Sequence, residues 1–239
     1  TYTAAAGQNI DITGAAATFT TTNDNIGFAT AGVDLANNGT TTINTGTGAG
    51  TVTFGAAIET DGGDDDLLVV TSGTGNVTFT GAIGATNALG GLSVNASAGD
   101  GDITFTSTIG DADNAGVIGT TAVGNSTTAD MDFGGAIYKF DGATTFTAVS
   151  GGSMDMAVAV AFTTAADNIT FATANIELGD GDNLNVDTGA TGGDITIGGS
   201  ILAVSNETVT LDAGTGTTSV GVIGNAAEIG ALTLSLIHI

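Results

Sequence analysis

The chain has 239 residues, 40 of them Gly, with no Pro, Cys or Trp, and 25 acidic residues against a single Lys give a formal net charge of −24. That balance excludes nucleic acid and anionic lipid as direct partners, because almost no cation is present to meet phosphate. Zinc chemistry and nucleophilic triads find no Cys and only one His, at position 238, and no apolar run reaches the roughly 18 residues a membrane-spanning helix needs.

Read in chain order, the first clear element is Asp24-Asn25-Ile26-Gly27-Phe28-Ala29-Thr30-Ala31-Gly32-Val33-Asp34-Leu35. It returns 143 residues later at Asp167 to Leu178, with eight of twelve positions identical and Val/Ile and Asp/Glu swaps at two more. Between the two copies runs a finer ladder: Val52-Thr53-Phe54, Val77-Thr78-Phe79, Ile103-Thr104-Phe105 and Met131-Asp132-Phe133. Counted from Phe28, the Phe-to-Phe spacings are 26, 25, 26 and 28 residues. The next step, from Phe133 to Phe171, is 38 residues, which predicts an irregular or inserted turn. Within it, Met154 to Phe162 alternates and reads as a strand, with Met154 and Met156 filling the core. After Phe171 the same slot falls on Ile197 and Val222. A second apolar pattern lies between these runs, at Leu67 to Val70, Leu92 to Val94, Leu184 to Val186 and Val209 to Leu211.

Short alternating runs bounded by Gly, Asn, Asp and Ser are strands. One coil of about 25 residues cannot bury its own apolar side chains, so the pattern demands stacking, with Phe54 covered by Phe79 above and Phe28 below. The expected fold is all-β: a parallel β-helix, or β-solenoid, with coils of about 25 residues inside a longer repeat of 143 residues. Nine or so coils at the inter-strand spacing make a rod of about 45 Å. An Ig-like sandwich array fits less well, since its strands do not repeat one motif coil after coil.

Residues 1–234 are expected to form a single solenoid fragment truncated at both ends, with the remainder of a larger polypeptide on either side. The repeat's own register predicts residues like Asn95 to Gly99 after Leu234, yet the chain reads Ser235-Leu236-Ile237-His238-Ile239. The run Leu234 to Ile239 resembles a translated sequencing adapter, so 235–239 is expected to be a non-native tail of an environmental-sequence fragment.

The best chemical candidates are acidic turns: Asp64, Asp65 and Asp66 in the first, Asp180 and Asp182 in the second. They resemble the Gly/Asp nonapeptides of Ca²⁺-binding β-rolls, but tandem copies that would supply six to eight oxygens are absent. Ca²⁺ is thus the one possible cofactor, set against plain solvated acidic turns. Asp111-Ala112-Asp113-Asn114 is a weaker acidic turn. Tyr138-Lys139-Phe140 reads as an exposed strand end with a snorkelling Lys. No catalytic group stands out.

The alternation of Val77-Thr78-Phe79 to Ile83 with Leu92-Ser93-Val94-Asn95-Ala96 resembles the β-strand-repeat regions of large bacterial surface proteins, of the filamentous-haemagglutinin-like adhesin and autotransporter-passenger type. That resemblance implies a non-catalytic structural or adhesive segment of an exported adhesin, secreted or held at the cell surface. Its expected partners are a host-cell or matrix surface, a glycan or another protein, met along an extended flank. A Ca-rigidified surface-layer-like repeat and a polysaccharide-active β-helix enzyme fragment are the alternatives.

Overall fold

A computed structural model of the chain describes residues 1–5, 7–36, 38–62, 66–224 and 228–235. Among the described residues there are 26 strands and no helix. Each coil visits three faces in a fixed order. The first coil runs through Tyr2–Thr3, Asn9–Ile12 and Ala16–Thr20; the second runs through Ile26–Ala29, Gly32–Leu35 and Thr40–Asn44. The first and third faces are nine-stranded sheets, and all their pairings are parallel. The second face is a three-stranded and a five-stranded sheet. Single residue pairs, Ile58 with Ile83, Ile83 with Ile109 and Ile109 with Tyr138, join its two parts. The protein is therefore a β-solenoid of about nine turns.

Alternation decides what faces inward. In Val77–Phe79 the outer two residues are buried and Thr78 is half-exposed. Stacking in register turns the inward positions into columns. Phe28, Phe54, Phe79 and Phe105 lie face to face with ring centroids 5.1, 5.1 and 5.0 Å apart, and Phe133 follows at 5.8 Å. Each buried ring contributes roughly 1.5–3 kcal/mol of transfer free energy, with more from ring–ring contact.

The 38-residue step from Phe133 to Phe171 is not an insertion. The column above Phe133 continues through Met156 and then Leu178 on the first face. Phe171 belongs to the third face, where it stacks on Phe146 at 5.5 Å. The 38 residues are 13 that cross from Phe133 to Phe146 within one coil, followed by a 25-residue coil. At this level Phe133 meets Tyr138, Phe146 and Phe162 edge-on at 5.1, 5.2 and 5.2 Å, so the aromatic columns of three faces touch across the core.

It follows that the long repeat is carried round the prism by one face. Ile26–Ala29 lies on the first face, while its counterpart Ile169–Ala172 lies on the third. Gly32–Leu35 lies on the second, and Asn175–Leu178 on the first. Local structure survives the move. Thr45 Oγ1 donates to Gly50 O at 2.7 Å, and Thr188 Oγ1 to Gly193 O at 2.6 Å. Asn25 Oδ1 accepts from Thr51 N as Asn168 Oδ1 does from Asp194 N. Thr30 and Thr173 both take a left-handed backbone, at φ 62° and 69°. The three corners of a coil accept the same sequence, so a unit of 143 residues need not span whole turns.

Three further expectations change. Met154 to Phe162 is two strands, Ser153–Met156 and Val160–Thr163, because a corner at 157–159 turns the chain from one face to the next. Met154 and Met156 are both buried in the core, as expected. Val222 is exposed; Val220 is the residue paired with Ile197. Tyr138 and Phe140 are fully buried, since alternation around Lys139 turns both rings inward. Leu234 and Ser235 pair with Leu211 and Asp212 as part of Ala231–Ser235, and the rest of the suspected tail, 236–239, lies outside the described residues.

Candidate functional site

With every large apolar column inside, function falls to the outward positions. The third face is neutral, while the other two carry carboxylate columns. On the first face Asp132, Asp155 and Glu177 occupy the middle, outward position of Met131–Phe133, Ser153–Met156 and Asn175–Leu178. Register places them one above another on successive coils. On the second face Asp11, Asp34 and Glu59 form a matching column. Strand spacing separates successive backbones by only about 4.8 Å, so like charges are held together by the fold.

The electrostatic response is consistent. Partial burial is the main reason that the Asp155 and Glu177 carboxyls titrate above their ordinary range, and neighbouring acids push them further. Ser153 Oγ donates to Asp155 Oδ2 at 2.8 Å and opposes part of that rise. Asp34 is raised by burial first and then by Asp11. Beside the first column a cleft of about 380 Å³ opens between Asp155, Glu177, Asp182, Leu202 and Val204. Val204 is 61% exposed there.

Chemically, stacked carboxylates can take up a proton or share a cation. A glycosidase also needs paired carboxyls, on either side of a scissile bond. Here the pair lies along one flat face, and Lys139 is on the second face with Nζ donating to Ala112 O at 3.0 Å.

Of the acidic turns singled out for Ca²⁺, Asp64 and Asp65 lie outside the described residues. Asp66 is buried, and its Oδ1 accepts from Gly39 N at 3.3 Å. Asp180 accepts from Ser205 Oγ at 2.8 Å, while the Asp182 amide donates to Gly179 O. Asp66 precedes Leu67–Thr71 on the third face and Asp180 precedes Leu184–Asp187 on the second, five coils on, so the two turns do not meet. Among the described residues no three acidic or His groups converge as a metal centre. Asp111 closes its own turn, its Oδ1 accepting from Asp113 N and Asn114 N at 2.8 and 2.7 Å.

Sequence reasoning passed over the two carboxylate columns because their members stand 22 to 25 residues apart. The available signal was an acid between two apolar residues, as in Met154-Asp155-Met156 and Ile176-Glu177-Leu178. Comparison with known proteins returned no matching family model, no similar curated protein and no similar solved structure.

Proposed function

We propose that the chain is a non-catalytic structural and adhesive repeat segment of an exported adhesin, acting outside the cell or at its surface. The observation that supports this reading is the unbroken core. Among the described residues one hydrophobic cluster runs from Ile12 to Ala213, so the coils form a continuous rod with long flanks. A rod of this kind holds a binding tip at a distance, and weak flank contacts repeated along it add by avidity. The net charge of −24 keeps such rods apart in solution. Beads coated with the protein at rising density are expected to adhere to host cells or extracellular matrix with a steep density dependence. Adhesion no better than that of beads coated with an inert acidic protein overturns the adhesive part of the reading.

A second reading, a Ca-rigidified surface-layer-like repeat, is favoured by the column Asp132, Asp155 and Glu177, whose mutual repulsion a divalent cation would relieve. Thermal melts with millimolar Ca²⁺ and with chelator separate the two readings. An upward shift with Ca²⁺ supports rigidification, and identical melting temperatures eliminate it.

A further inference from the structure

The third face differs from its neighbours in chemistry. None of its nine strands contains a charged residue, in a chain with 25 acids. Strands of the first face carry Asp132, Asp155 and Glu177. Strands of the second carry Asp11, Asp34, Glu59, Lys139, Asp187 and Asp212. The outward central column of the third face opens with Thr18 and Thr42 and closes with Thr145, Thr170, Thr196 and Ser219, paired coil to coil. Between them stand Val69, Ser93 and Ala122, so hydroxyls fill seven of the nine positions.

Register adds a second, independent property. Because every strand pairs in parallel with no slip along this column, its outward positions recur at about 4.8 Å along the rod, and hydroxyls stand on four consecutive coils from Thr145 to Ser219. Thr147 stands beside Thr145, adding a neighbour about 6.7 Å away along the strand. The result is one regular row of small neutral groups on a stiff support.

The face lacks the anchors that other partners require. Nine of the ten Phe rings are buried, and the nine strands hold no Trp, Tyr or Arg. Protein interfaces concentrate their energy in such residues, and sugar rings stack on exposed aromatics. A second copy would bring another chain of −24 within about a Debye length of the first. A crystalline, neutral lattice of hydrogen-bonding oxygens needs none of these. It repeats as the face repeats, with rows of like oxygens separated by a distance of the same order as the strand spacing. It meets hydroxyls with donors and acceptors, and its hollows accept methyl groups. It also brings no charge to desolvate beside the acidic flanks.

We propose that the third face binds the surface of ice. This assignment stands whether or not the rod serves as an adhesin shaft. The test uses the whole chain labelled with a fluorophore at Lys139, on the second face. A growing ice hemisphere is expected to take up the protein on defined planes, and the solution to show ice shaping and a thermal-hysteresis gap. Thr170→Tyr and Thr196→Tyr, both inside the unbroken hydroxyl run from Thr145 to Ser219, should cut that gap at least fivefold. Thr210→Tyr, the same change in a strand of the second face, should leave it unchanged. Circular dichroism confirms that each variant is folded. The proposal is overturned if the folded wild type is excluded from ice, if Thr210→Tyr is as damaging as Thr170→Tyr, or if the protein adsorbs to crystalline cellulose and not to ice.

Discussion

Phe79 shows what a single residue contributes. It is 1% exposed and sandwiched between Phe54 and Phe105, so Phe79→Ala opens a cavity that neighbouring coils cannot close. A loss of about 3–5 kcal/mol is expected, read from urea unfolding followed by circular dichroism. Phe79→Leu should cost under about 1.5 kcal/mol, because Leu178 already serves as a rung of the same column. Glycine acts through the opposite constraint. A Cβ on Gly75 would lie 2.2 Å from Gly50 O, on the backbone of the coil beneath. Gly75→Ala should therefore destabilise by about 1–3 kcal/mol through overpacking, whereas Gly14→Ala, with no atom within 4 Å, should be close to silent.

At the scale of strands and corners, opposing titrations set the pH response. Asp34, Asp155 and Glu177 have folded-state pKa values above their ordinary ones. Their contribution is full below the unfolded values and is lost as pH rises through the folded ones, so acidifying from neutrality stabilises the rod. Glu207 works the other way. Its carboxylate accepts from Val204 N, Ser205 N and Ser205 Oγ at 3.1, 2.8 and 2.7 Å and closes a corner. The bonds from the Ser205 hydroxyl and amide above all hold its pKa down to about 2; Asp111 is also lowered by bonds from its own turn, and Asp194 by bonds from Thr217 on the next coil. Their contribution is present above the unfolded pKa and disappears on strong acidification. The melting temperature is therefore expected to rise from pH 7 to a maximum near the ordinary carboxylate range and to fall below it. Asp155→Asn with Glu177→Gln should raise stability at pH 7 and flatten the acid-side gain; an unchanged profile would refute the assignment.

For the whole molecule, the central fact is that a 143-residue repeat does not return to the same face. The chain contains no Cys, so paired cysteines report the arrangement directly. Thr145→Cys with Thr170→Cys should form a disulfide on mild oxidation, because these positions face each other across adjacent coils of the third face. Asp155→Cys with Thr170→Cys, closer in sequence but on different faces, should stay reduced. Cross-linking of the second pair alone would refute the rotated placement. The rotation has a functional edge as well. Thr53, outward on the first face, corresponds to Thr196 on the third, so one sequence unit can present its threonines on different sides of the rod.

Much of this was legible in the residues. The period-2 runs, the coil length near 25 and the Phe column from Phe28 to Phe133 follow from local alternation and from the inability of one coil to bury its own apolar groups. Face assignment was not legible, because the corner sequences are interchangeable and a linear spacing cannot tell a long coil from a coil plus one face. The 38-residue step was misread for that reason, whereas the inward turn of Tyr138 and Phe140 follows from alternation around Lys139 and was open to a local reading. The carboxylate columns and the neutral threonine face were likewise decided only by register, which brings together residues more than 20 positions apart. The sequence by itself determined that the chain stacks; the tertiary structure alone decided which side chains share a face, since lateral neighbours in a solenoid belong to different coils.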